Sequence, residues 1–247
     1  MDTAEEVVKV TIDTNCIIAL DENRPQALAL RKLISLSDAK RIELRVPAIS
    51  ASEKQKDNRY LGNFKHFKER LVRLGLESAK IIYTLNYLGV TYIGTSVLGG
   101  PTLMMLEREI HEILAPNRPI HWSGDIKENS ESIKRWHKWR NTKCDVMAFW
   151  SHVWYGGGIF VSDDANFSRK KDQLINLAGG AVVTSDLALE TIKNNSALSP
   201  YPEDLRDFIK RIGPQDRAPV PQTFGYYWNM QKEREVNRGR TTDTKSV

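Results

Sequence analysis

Asp13, Glu53, Asp145, Asp163 and Asp164 are the acids placed where carboxylate chemistry could occur. Asp13 closes the β-branched run 7–12, and Asp163 and Asp164 follow the apolar run 159–161. In open parallel α/β sheets, ligands sit beyond the carboxyl ends of the strands. Glu53 comes shortly after a further strand candidate, 41–46, and Asp145 interrupts an apolar helical stretch between Cys144 and Val146. An acid among such neighbours is rarely buried without a partner. Singly, each has a plain structural use. Asp13 and Asp164 suit helix caps, and Glu53 suits the first turn of a helix, where the dipole favours an anion. Together they put at least four carboxylates on or near one rim, where like charges repel unless a cation intervenes. Hard divalent ions with oxygen ligands, Mg²⁺ or Mn²⁺, are the natural partners. Ligation by carboxylates alone disfavours structural zinc. Asn15 and Ser162 flank Asp13 and Asp163 and are candidates to orient the carboxylates.

Other chemistries lack their residues. Gly156, Gly157 and Gly158 are not followed by the Lys-Ser/Thr of a phosphate loop. There is no serine nucleophile elbow. Cys16 and Cys144 have no neighbouring base to activate a thiolate and read as small core residues. The five histidines are scattered, without metal-ligand spacing.

The elements that must position these acids alternate in type. Residues 7–12, 41–46, 90–95, 159–161 and 181–184 read as strands. Residues 23–40, a basic stretch from Ser50 or Ser52 to about Gly75, a short piece at 79–85, and 103–114 read as helices. So do 132–154, 169–177, 186–193 and 202–212. This alternation predicts an α/β fold with a central, mainly parallel sheet.

The chain has 247 residues, 40% apolar and 27% charged, an ordinary globular composition. No apolar run reaches membrane-spanning length. The acidic start does not read as a signal peptide, and two cysteines are too few for a disulfide framework. A reduced, cytoplasmic protein with no membrane partner is expected. The net charge of +5 is unevenly spread: residues 54–73 carry +5 and residues 127–143 carry +4. Such concentration is an electrostatic footprint for a polyanion. The candidate nucleic-acid contacts are Lys54, Lys56 and Arg59 in the first stretch. In the second they are Lys134, Arg135, Trp136, Lys138, Trp139, Arg140 and Lys143. Five of the six tryptophans fall within 122–154. Trp150 and Trp154 read as core, whereas Trp136 and Trp139 are open between core and base stacking.

The segment VTIDTNCIIALDE, from Val10 to Glu22, resembles the first motif of PIN domains, metal-dependent ribonucleases related to flap nucleases. FVSDDANF, from Phe160 to Phe167, resembles their fourth motif, with Asp164 as the acid and Asp163 as its variable neighbour. KCDVMAFW around Asp145 is similar to the third motif, and Glu53 in VPAISASEKQ matches the second acid. The resemblance covers roughly residues 7–193. It implies a PIN-like three-layer fold for a domain of residues 1–193. The chain departs from a compact PIN domain in a long middle region, about 76–130, where extra helices must fit, and in a C-terminal helical extension, 194–247, whose polar, aperiodic tip reads as disordered. The resemblance also implies a Mg²⁺- or Mn²⁺-dependent endoribonuclease with one or two ions held by Asp13, Glu53, Asp145 and Asp164. Which of Asp163 and Asp164 lies closer to the metal stays open. RNA is the expected partner, self-association is open, and an antitoxin-like protein ranks behind RNA because the chain is longer than a compact toxin. The rival readings are a metal-free scaffold binding RNA or protein, a DNA-directed nuclease, and a Mg²⁺-dependent phosphatase. The last would want an acid at position 15, which is Asn.

Overall fold

A β-branched run without polar alternation is stable only when both faces are covered, as in a parallel sheet. The computed structural model describes residues 7–53, 60–61, 63–123, 130–194, 198, 200–203 and 205. Five strands form one all-parallel sheet: β1 (Val8–Ile12), β2 (Ile42–Pro47), β3 (Lys80–Ile82), β6 (Ile159–Val161) and β7 (Ala181–Val183), in the order β3-β2-β1-β6-β7. Thr11 lies opposite Arg45 on one side and Phe160 on the other. Two short strands, β4 (Thr84–Leu85) and β5 (Ser96–Val97), pair in parallel as a separate ribbon.

Helices cover both faces, giving three layers of an α/β fold. On one side lie α1 (Thr14–Asp21), α2 (Ala27–Asp38), α3 (Phe64–Arg73) and α7 (Ser185–Lys193), around Ile17, Leu30, Leu33 and Phe67. On the other lie α4 (Pro101–Leu114), α5 (Ser130–Trp154) and α6 (Ala165–Ala178). There Phe160 meets Phe149 and Phe167 at ring separations of 5.2 and 4.9 Å, and Trp150 stacks on Trp154. Trp150 and Trp154 are core residues, as expected. No described helix is long and apolar enough to cross a membrane.

Several boundaries differ from the sequence expectation. The expected helix at 79–85 is two strands, and the expected strand at 90–95 is a turn leading into β5. Pieces of two or three residues are too short to show periodicity, so neighbours decide their state. The expected helix from Ser50 to Gly75 is not continuous. A 3₁₀ turn, Ala48–Ser52, ends at Glu53 in an extended conformation, and α3 begins only at Phe64. The helical span from Asn23 starts at Ala27 instead, and the separate helix α1 precedes it. The expected helix 202–212 and most of the extension 194–247 lie outside the described residues.

Close backbone approach at the far end of the sheet depends on glycine. Gly158 and Gly180 have φ of +104° and +69°. A Cβ on Gly180 would overlap the Gly158 carbonyl, and one on Gly158 would overlap that of Lys9. Gly180→Ala therefore combines left-handed strain with a backbone collision. It is expected to lower stability by about 3 kcal/mol or more. Urea unfolding with a lower midpoint and unchanged slope would report this. A midpoint equal to wild type would contradict it.

Candidate active site

Strand order reverses at β1: the chain adds β2 and β3 on one side, then β6 and β7 on the other. Such a switch point opens a crevice at the carboxyl ends of the strands. Asp13, directly after β1, and the segment Ser162-Asp163-Asp164, directly after β6, border it.

Asp13 is 3% exposed and caps α1, accepting from the Thr14 amide at 2.7 Å. Its other oxygen accepts from Ser162 Oγ at 2.8 Å and Asn15 Nδ2 at 2.9 Å. Asn15 also donates to Ser162 Oγ at 2.9 Å, and its carbonyl accepts from the Asp163 amide. Asn15 and Ser162 thus tie the ends of β1 and β6 together and hold the Asp13 carboxylate. Burial pushes the Asp13 carboxyl up to about 6. The Ser162 and Thr14 hydrogen bonds oppose this, and the charges of Asp164 and Asp163 add to it.

Glu53 arrives from β2 through the 3₁₀ turn. Burial pushes its carboxyl up to about 8, with the Asp13 and Asp164 charges adding. The Thr14 hydroxyl, 2.8 Å from Ser50 Oγ, opposes this by favouring the charged carboxylate, and the Arg70 charge does likewise. Asp145 sits on α5 where the buried half of the helix begins. Burial first, then the charges of Glu53, Asp13 and Asp164, hold its carboxyl well above the usual range, and Arg118 opposes them weakly. Asp164 is exposed and caps α6, accepting from the Asn166 amide at 2.6 Å. Each of the four acids therefore lies within electrostatic reach of the other three.

The two neighbouring aspartates divide their work. Asp163 accepts from both the amide (2.9 Å) and the hydroxyl of Ser185, fastening β6 to the start of α7. Asp164 is the one whose charge acts on Asp13, Glu53 and Asp145 together. Among the described residues, Asp13, Asp145 and Asp164 have no ion pair with Lys or Arg. No three described His, Cys, Asp or Glu side chains are gathered as a ready-made metal cage. The donor set nevertheless fits a hard divalent cation: oxygens only, and mutually repelling. Cys16 and Cys144 are fully buried with thiols pushed well up, above all by burial, so neither is a nucleophile near neutral pH.

The expected nucleic-acid contacts separate into two groups. Lys134, Arg135 and Lys138 are exposed on α5, and Trp136 is half-buried between Trp122 and Trp139. Three others are corrected. Trp139, 4% exposed, belongs to the core and donates to the Pro119 carbonyl at 3.0 Å. Lys143, 1% exposed, is paired with Glu107, donates to the Ile120 carbonyl, and lies 4.4 Å from the Tyr87 ring centre. Arg140, half-buried, gives three of its five donors to the carbonyls of Ser52 and Gly89. α5 turns these three toward the protein, which a one-dimensional charge pattern does not reveal. Lys54, Lys56 and Arg59 lie outside the described residues. Sequence reasoning missed Thr14, Ser50 and Ser185, because hydroxyls beside acids are too common to stand out.

No protein-family model matches this chain, and no curated protein and no solved structure matches it either.

Proposed function

We propose that the chain is a metal-dependent endoribonuclease of PIN-like type, with Asp13, Glu53, Asp145 and Asp164 holding Mg²⁺ or Mn²⁺. The observation that carries this is the meeting of four acids at the switch point of a parallel sheet, where Asp13, Glu53 and Asp145 are pushed up by burial and by the neighbouring carboxylate charges. Buried acids pushed up in this way bear an electrostatic cost, which functional sites commonly do. When bound, the metal supplies an activated water and a counter-charge for in-line displacement at phosphorus.

The chain's own residues supply orientation. Ser162 and Asn15 hold one face of the Asp13 carboxylate, leaving its direction set by two strands. Thr14 stabilises the charged form of Glu53. Asp164 rides on the N-terminus of α6, and its cap bond fixes it at the crevice edge. Lys134, Lys138, Asn141 and Asp145 recur at intervals of four, three and four, the spacing of one helix face. The first three are exposed. This stripe, basic at Lys134 and Lys138, leads along α5 to the acids over about 17 Å. Charge complementarity favours a single-stranded polyanion lying on it.

Cleavage of a labelled single-stranded RNA should need Mn²⁺ or Mg²⁺ and stop with EDTA. Lys134→Glu with Lys138→Glu should weaken RNA binding and flatten its salt dependence by roughly 0.7 in slope per lost contact. Cleavage of a dinucleotide, too short to reach the stripe, should hardly change. RNA binding without cleavage under any divalent ion would favour the metal-free scaffold, and equal cleavage of DNA would remove the ribonuclease assignment.

A further inference from the structure

Arg140 lies on α5 between the exposed basic stripe and Asp145, yet its side chain faces inward. Its Nε and Nη2 both donate to the Ser52 carbonyl, at 3.2 and 2.9 Å. Its Nη1 donates to the Gly89 carbonyl at 3.0 Å. The guanidinium carbon stands 4.0 Å from the Tyr60 ring centre. The Tyr60 hydroxyl is in turn 2.7 Å from Nδ1 of His137, one turn earlier on the same helix. One side chain thus joins three separate segments to α5: the end of the 3₁₀ turn, the 87–90 turn, and Tyr60.

Ser52 is the residue immediately before Glu53. The backbone reverses character there, from 3₁₀ geometry to an extended residue at φ −86° and ψ 157°. Ordinary secondary-structure hydrogen bonds do not hold a residue that leaves a 3₁₀ turn this way. A planar fork gripping the preceding carbonyl does hold it, and lysine, with a single ammonium, cannot reproduce fork and ring stacking together. The helix that grips also carries Asp145, five residues on. The distance between the Glu53 backbone and Asp145 is thereby set through a rigid element.

We propose that Arg140 is a positioning residue that holds Glu53 in the acid site by clamping the Ser52 carbonyl to α5. The metal and activity consequences rest on the nuclease reading above; the clamp itself does not.

The test uses the full chain as wild type, Arg140→Ala, Arg140→Lys, Glu53→Gln and the Arg140→Ala/Glu53→Gln double variant. Hydrogen exchange reads the clamp directly. Peptides covering 48–53 should exchange at least about tenfold faster in Arg140→Ala, while β1 and β6 stay protected. Mn²⁺ affinity by calorimetry should weaken about tenfold, the usual cost of losing a group that orients a ligand. kcat should fall, while KM for RNA and its salt slope hold. Arg140→Lys should recover part of each loss. In the Glu53→Gln background, Arg140→Ala should cost no further Mn²⁺ affinity, because its effect passes through Glu53.

Unchanged exchange over 48–53 would overturn the clamp. So would additive losses in the double variant, or a changed KM and salt slope with Mn²⁺ affinity intact, which would make Arg140 a phosphate contact. If wild type binds no Mn²⁺ but exchange over 48–53 still rises in Arg140→Ala, the clamp stands and the metal reading falls. Should Arg140→Ala fail to fold, Arg140→Lys carries the same exchange and affinity readouts.

Discussion

If the proposed nuclease reading holds, Asp145→Asn should lower Mn²⁺-dependent RNA cleavage by about 10³-fold or more, as expected for loss of several kcal/mol of charge stabilisation. The same change makes the metal-free protein more stable. Asp145 is held well above the usual carboxylate range by burial and by Glu53, Asp13 and Asp164. Ionising it inside the fold is therefore costly, and a neutral amide of the same shape avoids that cost. At pH 8, in EDTA, the variant should therefore melt at a higher temperature than wild type, each kcal/mol gained being worth roughly 2–4 °C for a chain of this size. Addition of Mn²⁺ should then stabilise wild type and do far less for the variant. Opposite signs for activity and stability mark a group kept for function at a structural cost. A variant that cleaves normally would remove Asp145 from the site. A variant less stable than wild type would show that the carboxylate is satisfied by the fold rather than strained by it.

Acid weakens the fold through His152. This ring is buried between Phe149 and Phe160, and its Nδ1 is 2.9 Å from the Thr11 hydroxyl. Burial, with a smaller contribution from the Arg45 charge, pushes it down to about 3 from an ordinary 6.5. A depressed histidine stays neutral in the fold while the unfolded chain takes up the proton. Its stability contribution is complete above pH 6.5 and is lost progressively as pH falls toward 3. Between pH 7 and 4.5 the loss is about 2.5 kcal/mol, at 1.36 kcal/mol per pH unit. Glu53 and Asp13, raised to about 8 and about 6, act in the opposite sense, gaining stability as they are protonated. His152→Gln isolates the histidine. Urea midpoints should show the gap between wild type and variant shrinking by about that amount from pH 7 to pH 4.5. A gap independent of pH would mean that the ring titrates alike in both states.

Parallel strands explain why the acids were legible. An unbroken apolar run marks a strand buried on both faces, so its end is visible, and parallel strands put all such ends on one edge. Asp13 and Asp164 could thus be assigned to one rim without any contact being known. Both also prove to be helix caps, the plain reading of each residue alone. Capping and clustering coexist here, because a helix N-terminus is itself a favourable place for an anion. Asn15 and Ser162 followed from the same edge, since each is one or two residues from an acid whose strand was already placed.

What the sequence by itself determined was the layer order, the edge that carries the acids, and the half of α5 that is core. What only the tertiary structure decided was the direction of individual side chains on that helix. Lys143 and Trp139 lie in the same basic, aromatic stretch as Lys138. Whether they meet water or protein depends on Glu107, Pro119 and Ile120, residues far away in the chain. Arg140 carries the same formal charge as Lys134, yet three of its donors belong to backbone carbonyls of Ser52 and Gly89. Charge counts sum over residues, whereas a phosphate meets only the cations that the fold leaves exposed. That selection is made by packing across segments, and no local pattern along the chain encodes it.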